Sequence, residues 1–317
     1  MNITVYYHPG YAAPIGKHVM PIDKFERVAS ELRGERDLAL EEPAPLTVDQ
    51  LLRVHTREYI DAVRSGEPRV LAESQKFPWT PELYPSVLLT GGGCLAAAHR
   101  ALEGGIAGAL VSGFHHSHGD HGEGFCTFNS LVVTAEALRA GDAVGGRPGP
   151  RIERVAVLDM DLHYGNGTAS LAPSRPWLFN LSIYGNDYRA NTAYRDVRER
   201  RHEDGANHRS IALGEGAGRR EMMAAMDEGL AMLEAWGRPD LLLYQAGADP
   251  YREDPYSPLD LDHDDLFERD RRAFAWAKAA GLPVAWVLAG GYTKDVAKVV
   301  RVHTNTFLAA REVFGTR

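Results

Sequence analysis

Apolar residues along the 317-residue chain gather into short, nearly continuous runs. They are "ITVYYH" (3–8), "IAGALVSG" (106–113), "RVAVLDMDLH" (154–163), "WLFNLSI" (177–183), "DLLLYQAGAD" (240–249) and "PVAWVLAGGY" (283–292). Each run ends in polar or glycine-rich residues and is followed by a helical pattern. A strand with one wet face alternates apolar and polar residues, whereas runs this continuous bury both faces. Strands of that kind alternating with helices predict an α/β fold, an open, mostly parallel sheet with helices on both faces.

The helical segments carry their own signals. "REMMAAMDEGLAMLEAWG" sets Met222, Met226, Leu230, Leu233 and Trp236 at three- and four-residue steps, closed by Gly237. The methionines read as core filler, not as a sulfur ligand set. "LTVDQLLRVH" opens on Thr47 with Gln50 three residues on, a capping-box signature. The glycine- and proline-rich "GDAVGGRPGPR" (141–151) falls inside the strand–helix rhythm and reads as a surface connection, so one domain over 1–317 is expected.

Composition narrows the class. The chain is 44% apolar and 25% charged, ordinary for a globular protein. Its formal charge of −8 argues against a nucleic-acid partner, because phosphate binding needs concentrated Lys and Arg. The one basic run, "RDVRERRHEDGANHR" over Arg195 to Arg209, is interleaved with acids and reads as a solvated face. No apolar run is long enough to span a bilayer, so no membrane partner is expected. The N-terminal "MNITVYYHPG" lacks the basic and apolar regions of a signal peptide, and the expected location is cytoplasmic. Two cysteines, Cys94 and Cys126, exclude a disulfide framework and a thiolate zinc site. Nothing in the pattern sets an oligomeric state.

In an open α/β sheet, ligands bind beyond the carboxyl ends of the strands. Here those ends are unusually polar. "VAVLDMDLHYGNG" places Asp159, Asp161 and His163 at alternate positions, about 7 Å apart along one strand face. "LLLYQAGADPYREDP" adds Asp249 beyond another strand. An Asp/His/Asp set without a fourth protein ligand is the open arrangement of a catalytic metal. Asp at a strand-to-helix turn is also a common N-cap, and spacing alone leaves both readings open.

Two further ends bear on the choice. "WVLAGGYTKD" puts Gly290 and Gly291 before Tyr292, so the backbone can turn and bring a phenol over a site. "SGFHHSHGDHGEGFCTFN" (112–129) crowds His115, His116, His118 and His121 together. Imidazole is both a common metal ligand and the side chain that titrates nearest neutrality. His118 and His121 read as rim residues, and His8, His55 and His99 as structural.

Together "GFHHSHGDHGEGFCTFN", "LDMDLHYGNGT", "LFNLSIYG", "QAGADPYREDP" and "LAGGY" resemble the histone deacetylase family of the arginase/deacetylase superfamily, over nearly the whole chain. "HPGYAAPIGKHVMPIDKFERV" and "FPWTPEL" look most like its class IV branch and bacterial relatives. The resemblance implies an arginase/deacetylase-like sheet and a zinc-dependent amidohydrolase that removes acyl groups from an amine such as a lysine side chain. Asp161, His163 and Asp249 would hold the metal. His115 and His116 would be the tandem histidines, with Asp159 bonded to His115 and Asn166 orienting His116, and Tyr292 would bond the polarised carbonyl. A monovalent cation, K+, would sit by Asp159, Asp161, His163 and Ser182, while Gly124, Phe125, Tyr256 and Gly290 would border the substrate. Fe2+ or Co2+ also suits an Asp/His/Asp set. The chain departs from the family pattern at Tyr164 and Tyr184, where many members carry histidine, and at Asn166, where class I members carry aspartate.

Amide hydrolysis needs an activated water, stabilisation of the tetrahedral oxygen and a proton for the leaving amine. Asp159 favours a charged His115, whereas the neutral amide of Asn166 leaves His116 free to exchange the proton. The nearest rival is an acetylpolyamine amidohydrolase, which calls for an acidic residue in the pocket. Tyr256 stands where a polyamine-selective relative would carry glutamate, while Glu253 and Asp254 could face the cavity. An arginase-like site lacks its doubled acidic pattern here, and a non-catalytic acyl-lysine binder predicts a missing ligand or phenol.

Overall fold

The computed structural model describes residues 2–188, 194–200, 202 and 204–315. Its strands are β1 (Ile3–Tyr6), β2 (Leu38–Glu41), β3 (Ile106–Ser112), β4 (Val155–Asp159), β5 (Leu178–Tyr184), β6 (His208–Ala212), β7 (Leu241–Ala246) and β8 (Val284–Leu288). All pair in parallel, in the order β2-β1-β3-β8-β7-β4-β5-β6. The helices are α1 (Lys24–Leu32), α2 (Val48–Leu51), α3 (Arg57–Ser65), α4 (Arg69–Ala72), α5 (Leu83–Gly104), α6 (Ser130–Ala140), α7 (Asn166–Leu171), α8 (Arg219–Trp236), α9 (His263–Ala279) and α10 (Val296–Phe314).

Every residue of β4, β5, β7 and β8 is buried, which a strand achieves only when helices cover both faces of its sheet. Helix α5 lies along β1, β3 and β8 beside α6, while α1, α10, α9 and α8 adjoin one another in that order. The two strands absent from the apolar runs are the edges. β2 ("LALE") is partly exposed throughout and β6 ("HRSIA") alternates, because an edge strand is covered incompletely and needs no continuous apolar run.

Met222, Met226, Leu230 and Leu233 of α8 are buried, as the periodicity predicts, and Gly237 caps the helix. Trp236 is only half-buried, with the Arg154 guanidinium 3.8 Å above its ring. The Thr47/Gln50 capping box is formed at α2. Residues 141–151 connect α6 to β4 around a Val144–Arg147 bridge. In the basic run, Arg198 pairs with Asp196 and Arg200 with Asp204, while 201 and 203 lie outside the described residues. Among the described residues no helix is long and apolar enough to cross a membrane.

The consequence for function is positional. β3, β8, β7 and β4 are neighbours across the middle of the sheet and run the same way, so the loops leaving their carboxyl ends open side by side.

Candidate active site

Those four loops deliver the strand-end residues to one place. Ligand atoms of Asp161, His163 and Asp249 all lie within 4.8 Å of one another, and all three residues are buried. His163 Nδ1 is 3.2 Å from Asp161 Oδ1 and 3.2 Å from Asp249 Oδ2. Ligands of a tetrahedral zinc ion stand about 3.4 Å apart, so the set needs little adjustment to close on a cation. Asp249 Oδ2 is buried and accepts no hydrogen bond, which leaves a lone pair for an ion. The remaining oxygens are held by backbone: Gly290 N–H donates to Asp161 Oδ2, His163 N–H to Asp161 Oδ1 and Leu162 N–H to Asp249 Oδ1. The carboxylates draw in positive charge, holding the His163 imidazole up to about 10 although burial, the largest effect, opposes it. Neither Asp161 nor Asp249 caps a helix; α7 begins after Gly165 with no side-chain cap.

One expectation needs correction. Asp159, Asp161 and His163 do not share a strand face, because β4 ends at Asp159. Beyond it each side chain accepts from the backbone N–H two residues on, Asp159 Oδ1 from Asp161 and Asp161 Oδ1 from His163. Consecutive turns of this kind, not the pleat, swing both ligands towards β7.

The tandem histidines face this set from the loop after β3. His115 Nδ1 is 2.7 Å from Asp159 Oδ2, with its Nε2 3.6 Å from Asp161 Oδ1. Burial alone disfavours its charge, but Asp159 and Asp161 outweigh burial and hold the imidazole above its ordinary value. His116 Nδ1 is 2.6 Å from Asn166 Oδ1. Burial, then the neighbouring His115 and His163, push His116 well below the usual range. The two imidazoles are 4.0 Å apart at their centroids, and their surroundings push them in opposite directions, His115 towards the charged form and His116 towards the neutral one.

Aromatic rings wall the approach. Tyr188 stacks on His116 at 3.9 Å, Tyr256 stands 6.1 Å from His163, and Tyr292 lies 6.2 Å from His163 and 6.1 Å from Phe125. Burial, then Asp249 and Asp161, raise the Tyr292 phenol well above its ordinary value, so it stays protonated as a donor. Gly124 has φ +51°, and a Cβ there would fall 2.4 Å from His116 Cδ2; only glycine lets the wall approach this closely. A Cβ on Gly290 would sit 1.8 Å from Asp249 Oδ2, so that glycine makes room for the ligand set. Past His115 and Asp161 the site continues into an inner cavity of about 80 Å³.

Ser182 is buried on β5 directly opposite Asp159 in the β4–β5 register, next to the proposed monovalent-cation region. Glu253 does not face the cavity, since Lys298 and the Tyr251 hydroxyl take its carboxylate. Asp254 holds the backbone N–H groups of Tyr292 and Tyr256 from behind, and burial with nearby Asp249 lifts it to about 7. The acids that line the mouth are Glu123 and Asp187. Of the other histidines, His55 is buried and accepts from Asn129 N–H, while His99 meets the Pro148 carbonyl.

Sequence reading missed four residues that shape the site. Gln245, buried in β7, donates from Nε2 to Asp159 Oδ1 at 3.0 Å; a lone amide inside an apolar run was the available signal. Tyr188 sits in a loop with no pattern to mark it. Lys24 lines the inner cavity, its Nζ donating to the Ala289 carbonyl at 2.6 Å, and burial pushes it down to about 8. Arg269 is fully buried on α9 and donates to the carbonyls of Met160 and Gly247, tying together the loops that carry Asp161 and Asp249.

Residues 18–307 match the model of the histone deacetylase domain. Histone deacetylase 2 of Arabidopsis thaliana is 30% identical, covering 89% of this chain and 72% of its own length. Acetylpolyamine amidohydrolase 1 of Pseudomonas aeruginosa is 31% identical over 57% of this chain and 49% of its own. In fold, the crystal structure of acetylpolyamine aminohydrolase from Burkholderia pseudomallei superposes with a TM-score of 0.76 at 20% identity, over 98% of this chain and 99% of that one. With its central loops converging on one acidic, histidine-faced pocket, and with a domain match over most of its length, the chain belongs to the histone deacetylase family.

Proposed function

We propose that the protein is a zinc-dependent amidohydrolase, class IV-like and cytoplasmic, that removes acetyl or longer acyl groups from lysine side-chain amines. The observation that carries this reading is the Asp161/His163/Asp249 set, with an unbonded Asp249 oxygen, facing two imidazoles of opposite electrostatic setting. Asp161, His163 and Asp249 would hold the ion; bound zinc supplies an acidified water and a polarised carbonyl, and Fe2+ or Co2+ would fit the same donors. His116, neutral and held by Asn166, takes the proton of the attacking water and returns it to the leaving nitrogen. His115, charged against Asp159, stabilises the negative charge that grows on the reacting oxygen. The Tyr292 phenol donates to that oxygen. Phe125, Tyr188 and Tyr256 enclose the acyl-amine stem and keep bulk water away. A structural potassium ion beside Asp159, Asp161, His163 and Ser182 belongs to the same proposal, supported by the Asp159–Ser182 pairing.

A second reading, hydrolysis of acetylated polyamines, is favoured by Glu123 and Asp187 at the mouth, which suit a cationic substrate. Side-by-side rates on an acetyl-lysine peptide and on acetylated putrescine and spermidine, with metal content measured, separate the two. The lysine reading expects the higher kcat/KM on the peptide; a large preference for either polyamine overturns it.

A further inference from the structure

His118 and His121 are left over from the histidine-rich loop, and they form a second convergent set with Glu123. Their ligand atoms lie within 4.8 Å of one another at the rim of the mouth, apart from the deep Asp/His/Asp set. The two imidazoles stack at 4.5 Å. His118 Nε2 is 3.7 Å and His121 Nε2 3.9 Å from Glu123 oxygens, each within about half an ångström of the separation a tetrahedral zinc ion requires.

The proton positions favour an ion there. Ser170 Oγ spends its single proton on the Gly167 carbonyl, so at 2.7 Å it accepts from His118 Nδ1–H. Asp120 Oδ1, also at 2.7 Å, accepts from His121 Nδ1–H. In its neutral form each ring then carries its lone pair on Nε2, towards Glu123. An imidazole whose other nitrogen donates to an oxygen is the usual arrangement of a metal-bound histidine.

We propose that His118, His121 and Glu123 form a second, regulatory binding site for a divalent zinc-like ion at the mouth of the pocket. The site is wired to the interior by one amide. Asn166 Nδ2 donates to Glu123 Oε2 at 2.7 Å and to His118 Nε2 at 3.2 Å, while its Oδ1 faces His116 Nδ1. An ion takes both of those acceptors and repels the amide hydrogens. The amide then turns over, Oδ1 towards the ion and Nδ2 towards His116 Nδ1, which moves the His116 proton to Nε2 and blocks it as a base. This inhibitory consequence rests on the role of His116 proposed above; the binding of the ion does not.

The test is equilibrium dialysis of the untagged protein against zinc, with bound metal counted and peptide deacetylation followed on the same samples. Wild type is expected to bind two zinc ions per chain and to lose activity as the second binds. His121→Ala is expected to keep the one-zinc activity and to bind the second ion more than ~100-fold more weakly, since even loss of a supporting partner costs 10–100-fold. Asp249→Asn is expected to retain only the rim ion. One zinc in wild type that His121→Ala retains, or two in His121→Ala at wild-type affinity, overturns the rim site. One zinc in both wild type and Asp249→Asn, with none in His121→Ala, upholds the rim site and defeats the deep one.

Discussion

His115 and His116 are neighbours in sequence and opposites in setting. The first is bonded to a buried carboxylate that outweighs the cost of burial; the second meets a neutral amide and two other imidazoles. That separation suits adjacent rings to different roles, and it arises from Asp159 and Asn166, which reach them from the end of β4 and the start of α7. Tyr292, held protonated by burial and the nearby carboxylates, stands beside His163. Tyr292→Phe is expected to lower kcat about 10²- to 10³-fold, the usual cost of losing such a donor, with KM and zinc content little changed. A kcat within threefold of wild type would remove Tyr292 from the mechanism. The convergence of Asp161, His163 and Asp249 with the tandem histidines was legible in the sequence because strand ends in such a fold come together. Gln245, Tyr188 and Lys24 were not, since their importance lies in side-chain directions that no spacing encodes.

At the scale of elements, Asp161, His163 and Asp249 sit in loops, and loops need support. Arg269 on α9 supplies it, donating to the Met160 and Gly247 carbonyls while pairing with buried Asp270, which also accepts from Tyr244 and Thr306. Arg269→Met leaves buried Asp270 without its ion-pair partner, and is expected to destabilise the protein by about 3–5 kcal/mol. Urea unfolding reads this directly, and an unchanged midpoint would show that the pair contributes nothing. An arginine in the acid-rich "HDDLFERDRRAF" looks like a solvated helix face, so sequence alone gives no reason to bury it. The same limit hid β2 and β6: edge strands are short and half-covered, and their residues carry a weak hydrophobic signal. The six runs read correctly are the ones the sheet buries most deeply, apart from the partly exposed ends of β1 and β3.

Over the whole molecule, the strand order explains why residues nearly two hundred positions apart meet. β3, β8, β7 and β4 are consecutive in the sheet though not in the chain, so His115, Tyr292, Asp249 and Asp161 leave it at one edge. The apolar runs predicted a parallel sheet, but periodicity does not encode strand order, and that order comes from the structure alone. Charge fits the picture, since an acidic pocket attracts a metal cation and a protonated amine product. The central claim is that catalysis depends on one ion held by Asp161, His163 and Asp249. Chelator-stripped protein, reloaded with zinc in steps and assayed on an acetyl-lysine peptide, tests it most directly. Activity should rise from background in proportion to zinc, peak at one ion per chain, and stay at background in Asp249→Asn; full activity in the metal-free protein would contradict the account.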